Sequence, residues 1–161
     1  MAREYSISAG GITIVGATTL VFINPGTTAA LEILRMWISQ SANTNTAQQR
    51  VQVVTQVTAF PTLTSFTPRK LKPGGPASVI VGGTAGAAGT CGINASAEGA
   101  GAKSVLFEDA FNVIPGWLWV ATEKERIIMP PSFASGFGLY LPVAPGTLTN
   151  WAFGLNYAEL G

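Results

Sequence analysis

"WAFGLNYAEL", residues 151–160, decides the fold class. Trp151, Phe153, Leu155 and Tyr157 recur at a spacing of two, and the residues between them are Ala152, Gly154, Asn156 and Ala158. Side chains alternate between the two faces of a β-strand, so this segment has one bulky face and one small face. The bulky face is fit to build a core, and the small face leaves room for another layer to approach closely.

The rest of the chain repeats the same grammar. Nineteen Gly and ten Pro punctuate runs rich in Val, Ile, Thr, Phe and Trp. Such runs, bounded by turn formers, predict strands at 4–8, 18–23, 30–39, 50–58, 103–113, 116–122, 125–130, 137–143 and 151–160. No segment shows a sustained helical period; "TAQQRVQVV" is an ambiguous start, but its Val spacing is two. About eight strands without helices predict an antiparallel β-sandwich or barrel, with 1–161 as a single domain. Within 50–58, Val51, Val53, Thr55 and Val57 are expected inward, with Gln52, Gln56 and Thr58 outward. The strand at 30–39 reads differently, with Leu31, Ile33 and Trp37 on one side and Leu34, Met36 and Ile38 on the other. Both of its faces are expected to be covered, one by the core and one by a partner.

Composition narrows the role. Charged residues are 11% of the chain against 47% hydrophobic, where soluble domains carry about 25% charged residues. A surface so poor in charge exposes apolar patches, and contiguous patches mark association sites. The expectation is a homo-oligomer. A net charge of +1 supplies no field to recruit nucleic acid or an acidic membrane surface. The apolar runs "GITIVGATTLVFI" and "LEILRMWI" are too short to span a bilayer as helices. Residues 11–23 read as strand and turn rather than as the core of a signal peptide. Cys91 is the one cysteine, which excludes an internal disulfide and any multi-cysteine metal site, and it reads as a buried thiol. His is absent, which removes the side chain best suited to acid–base catalysis near neutral pH and the commonest metal ligand.

The predicted strands leave a gap from about Thr67 to Ala102. It opens with the basic turn "TPRKLKPGGP" and ends in "GGTAGAAGTCGINASAEGAGA", residues 82–102, a tract of almost bare backbone. Structureless stretches of this length within a domain are uncommon and usually functional. Low charge argues against simple disorder. The expectation is an extended contact arm whose small residues, Gly82, Gly83, Gly86, Gly89 and Gly92 among them, allow close approach and strand-like pairing with a neighbour. Arg69, Lys70 and Lys72 are its expected polar clamp, and removal of 82–99 is expected to leave the fold intact.

The remaining motifs carry no chemistry. "SVIVGGTAGAAG" lacks the G-x-G-x-x-G spacing and a following helix, and no G-K-[ST] is present, so no nucleotide cofactor is expected. Glu123 and Glu125 flank Lys124 on one extended segment instead of facing each other across a cleft. Trp117 and Trp119 share a strand face and read as core, followed by a solvated charged loop. Three basic residues among prolines are too few for a nucleic-acid site. "NAS" at 94–96 is a short match to a glycosylation acceptor. Without His, a hydrolytic triad needs a Lys base, and no S-x-x-K is present. No catalytic, cofactor-binding or metal-binding residue is expected.

"YSIS" near the start, "LVFINPGTTAALEILRMWISQS", "TPRKLKPGGPAS", "DAFNVIPGWLWVATEKERI" and "LYLPVAPGTLTNWAFGLNYAEL" together resemble a family of small phage-encoded virion proteins. The resemblance covers nearly the whole chain, and its most specific parts are the TPR-x-L turn at Thr67–Leu71 and AFNV-x-x-G at Ala110–Gly116. It implies a jelly-roll-like sandwich that decorates or cements an icosahedral head, commonly as a trimer. It also implies contact with the major capsid protein at the virion surface, after synthesis in the host cytoplasm. The family is more acidic and has a shorter, more polar loop after the TPR turn, so the Gly/Ala tract is a departure. The alternatives are a tail, fibre or self-assembling shell component, and a carbohydrate-binding sandwich using Trp117, Trp119 or Trp151 as a platform.

Overall fold

A computed structural model describes residues 3–41 and 47–161, and no helix occurs among them. Eight principal strands are Arg3–Ile12 (β1), Thr18–Asn24 (β2), Ala30–Gln40 (β3), Gln48–Val57 (β4), Lys103–Asn112 (β9), Trp117–Val120 (β10), Ser135–Leu141 (β12) and Trp151–Leu160 (β13). Five shorter or inserted strands complete the set: Thr62–Ser65 (β5), Arg69–Lys70 (β6), Val81–Gly82 (β7), Thr90–Ala97 (β8) and Ile127–Met129 (β11).

The strands form two sheets packed face to face. One runs β10-β3-β13-β1-β6, with β11 also on β3; the other runs β5-β8-β2-β12-β4-β9, with β7 on β8. With the inserted strands set aside, the orders are β1-β13-β3-β10 and β2-β12-β4-β9. Successive principal strands switch sheets at every step except from β4 to β9, which pair in the same sheet, and this is the strand order of a jelly roll. Every pairing is antiparallel except β7 with β8.

The last strand performs as its pattern predicts. Trp151, Phe153, Leu155 and Tyr157 are fully buried between the sheets, among Ile7, Ile33, Met36, Val53, Phe137 and Leu139. Its small face, however, is covered by the chain itself. A Cβ on Gly154 would collide with the Trp37 ring, so the absence of a side chain lets that indole lie flat on the outside of β13. The Arg35 guanidinium stacks over the same ring at 5.3 Å from its centre.

Trp37 reaches that outer face because β3 is bulged. Its register against β13 slips between Asn156 and Tyr157, where Arg35 and Ile33 are the partners and Leu34 is left over. One extra residue reverses the alternation beyond it. Leu31, Ile33, Met36 and Ile38 therefore all face the core, which corrects the expected split between Leu31, Ile33, Trp37 and Leu34, Met36, Ile38. The two apolar faces of this strand come from a parity change and not from a partner on its outer side. β4 itself is unbroken against β12, and its slip against β9 leaves over Leu106 of β9; Gln56 keeps its outward parity but is fully buried, while Val57, expected inward, is exposed. The Gln56 amide donates to Ala59 O at 3.0 Å, inside the chain that folds back over the sheet.

The expected arm over 67–102 is corrected by three strands. Residues 90–97 form β8, which sits between β2 and β5 inside a sheet. Cys91, Gly92, Ile93 and Ala95 are buried there. Ala95 joins Phe22, Leu63 and Phe60 in a second, smaller apolar cluster, with the Phe22 and Phe60 rings 5.6 Å apart. The tract is thus an internal extension of the second sheet. Its small residues are selected by crowding: a Cβ on Gly92 would lie 2.7 Å from Leu63 Cβ and 2.7 Å from Gly83 O.

Candidate interaction edges

The first sheet ends in β6 on one side and in β10 on the other. These two edges collect most of the unpaired charge of the chain.

At the first edge the turn after Phe66 brings Arg69 and Lys70 into a two-residue pairing with β1, Lys70 opposite Tyr5 and Arg69 opposite Ser6. Arg69, Lys70 and Lys72 are all exposed, and Leu71 between them is 43% exposed. The Arg69 guanidinium lies 5.6 Å from the centre of the Phe66 ring. Arg3 stands on β1 beside them, and a cleft of about 250 Å³ opens between Arg3, Tyr5, Lys70, Lys72 and Pro76. The three predicted basic residues are therefore brought together on one rim.

A buried carboxylate fixes the loop that follows. Glu159 is fully buried; its Oε1 accepts from Ser78 Oγ at 2.5 Å and from the Val79 backbone N–H at 2.8 Å. Ser78 Oγ also lies 2.6 Å from the Tyr157 hydroxyl and accepts from the Ile80 N–H at 3.0 Å. Burial, reinforced by the charge on Glu159, raises the Tyr5 hydroxyl above its ordinary pKa, and burial drives Tyr157 higher still. Both phenols stay protonated and able to donate; the Tyr5 hydroxyl donates to Pro76 O at 3.2 Å. Sequence reasoning missed Glu159, although it continues the odd-numbered series from Trp151 to Tyr157 and so belongs to the inward face.

At the opposite edge, β9 and β10 border a cleft of about 440 Å³ between the sheets. Phe107 and Trp119 lie 5.9 Å apart across it, both half-buried. Asp109 Oδ2 accepts from Trp117 Nε1 at 3.0 Å, and Glu108 is bound by Arg50 and Gln52. Hydrogen bonds from Gln52 and Arg50 hold the Glu108 carboxyl below its ordinary pKa. Glu125 closes the rim, and Glu123, Lys124 and Glu125 lie in the exposed loop after β10, as expected. The outward residues of the same edge are apolar: Leu118 is 57%, Val120 54% and Ile128 52% exposed. Val105 and Leu106 are exposed as well, on β9 in the other sheet. The sequence hides the cleft because its walls come from two strands in different sheets.

The predicted glycines lie elsewhere, within the fold. Gly82 belongs to β7, and Gly83 packs against Thr90. Gly86 and Gly89 have φ of 62° and 75°, and the turn they shape places Gly86 O where Asn24 Nδ2 donates to it at 2.8 Å. Gly92 lies under Leu63. Trp151 and Trp117 are buried, Trp117 as expected, whereas Trp119, also expected in the core, is half-buried on the cleft wall and is the one ring of the alternative aromatic platform that is partly open. Asn94 donates to Thr13 O at 3.1 Å. Cys91 is buried, and loss of solvent raises its thiol pKa to about 12.

Among the described residues no group of three or more His, Cys, Asp or Glu is placed to hold a metal, and no helix is long and apolar enough to cross a membrane. Compared with protein-family models, with curated proteins and with solved structures, the chain matches none.

Proposed function

We propose that the chain is a non-enzymatic structural protein of a phage virion, an oligomeric decoration or cement protein that stabilises the head through subunit contacts. What supports the reading is the combination of a jelly-roll sandwich with large exposed apolar residues at its β9–β10–β11 edge, Leu118, Val120 and Ile128 on one sheet and Val105 and Leu106 on the other. Large apolar residues clustered on one edge are costly in an isolated molecule and are stabilised when a neighbour covers them. The absence of His from the sequence and the engagement of most cleft carboxylates by side chains of the same molecule favour a binding role over an acid–base one.

In this reading the protein acts by burying apolar surface between copies and against the major capsid protein, with Arg69, Lys70 and Lys72 as a polar clamp on acidic groups of a neighbouring subunit. Many copies acting together resist expansion of the head, since each lattice contact is made effectively intramolecular by its neighbours. Adsorption to undecorated phage heads is the test. The purified chain is expected to bind them at stoichiometric sites and to raise their resistance to heat or chelator. A chain that stays in the supernatant at high concentration rejects the assignment.

A further inference from the structure

The charges of this molecule fall into a pattern. Three ion pairs join described residues, Arg50–Glu108, Lys103–Glu98 and Arg126–Glu32, and these neutralise one another locally. Arg35 is stacked on Trp37, and Glu159 is buried behind Ser78. All the other charged side chains stand at the two edges of the sandwich. The β6 edge holds Arg3, Arg69, Lys70 and Lys72 against Glu4, three net positive charges. The β9–β10 edge holds Asp109, Glu123 and Glu125 against Lys124, two net negative charges. A net charge of only +1 therefore conceals a polarised molecule. The two edges lie on opposite sides of a sheet five strands wide, about 19 Å apart at the usual strand spacing.

Each charged edge also carries apolar surface: Leu71 beside the Tyr5–Pro76 cleft on the positive side, and Leu118, Val120 and Ile128 beside the Phe107–Trp119 cleft on the negative side. From this charge complementarity we propose that the partner of the negative β9–β10 edge is the positive β6 edge of a second copy of this chain. The contact is head to tail. It rests on the reading of the protein as an oligomer but not on the identity of any shell. A head-to-tail contact leaves one edge of each kind free, so it propagates until rotation closes a ring. The apolar strips supply the affinity. The charges set orientation and speed encounter, and they oppose a symmetric pairing of two negative edges.

The experiment uses two double variants of the full chain, Lys70→Glu with Lys72→Glu, and Glu123→Lys with Glu125→Lys. All four side chains are exposed and outside any ion pair among the described residues, and circular dichroism verifies the native fold. Mass is measured by sedimentation at moderate salt. Wild type is expected as a closed oligomer whose association weakens at least tenfold between 0.05 and 0.5 M salt, roughly as screening of exposed charges requires. Each double variant alone is expected to be monomeric at the same concentration. Their equimolar mixture is expected to reassemble, with both variants in every complex. A monomeric wild type, either double variant keeping the wild-type mass, or folded variants that do not rescue each other overturns the proposal. If either reversal impairs folding, the neutral pairs Lys70→Gln/Lys72→Gln and Glu123→Gln/Glu125→Gln take its place, and association unchanged in both overturns it equally. A chain that passes these tests yet ignores phage heads supports the head-to-tail contact and sinks the capsid assignment.

Discussion

Cys91 shows how far one residue's chemistry follows from its place. It lies on β8 with its thiol donating to Phe66 O at 3.0 Å, and no water reaches it. Its pKa, 9.0 for an open thiol, is pushed up to about 12 by burial. The unfolded chain loses that proton first as pH rises, so this group's contribution to folding stability is fully present below pH 9 and is lost between there and about pH 12. Native protein at pH 8 is expected to resist a maleimide for hours and to react within minutes in denaturant; rapid labelling of the native form would show β8 to be open. A buried thiol was legible from composition alone. The outward Trp37 was not, because parity counts hold only until a bulge, and nothing in "LEILRMW" marks Leu34 as the extra residue.

At the scale of elements, β8 is where sequence reading and structure part. "TCGINASA" lacks the bulky alternation that announces a strand, since β5 and Gly83 press on Gly92 too closely for a larger side chain; Gly99 and Gly101, just beyond it, are crowded by the backbone of 57–60. The long strands with one bulky face were readable, whereas strands built from small residues for close packing resemble linker. Deletion of 82–99 is therefore expected to unfold the protein, because it removes the partner of both β2 and β5; a cooperative melt and a native spectrum in that variant would restore the arm. The Glu159 latch makes a separate prediction. Glu159→Ala removes the acceptor of Ser78 and Val79 in a partly buried place, at a cost of about 1 kcal/mol. Trypsin is expected to cut at Arg69 or Lys70 several-fold faster in this variant, and cleavage at the wild-type rate would show that the loop is held by other contacts.

For the whole molecule, the fold class was available from turn spacing and period-two patterning. The partition of strands between sheets was not, since the chain between β4 and β9 conceals that these two strands are neighbours. The edges and their opposite charges emerge only once topology sets β6 and β10 on opposite sides. The pairing of β1 with β13 has a consequence for how the protein is made. Residue Arg3 is matched to Glu159, so the first strand leaves the ribosome long before its principal mate. Translation at about 5–20 residues per second keeps it waiting on the order of ten seconds or more. Through that interval the inward side chains Tyr5 and Ile7 have no completed sheet to enter, and the nascent polypeptide depends on chaperones or on speed of completion to escape aggregation.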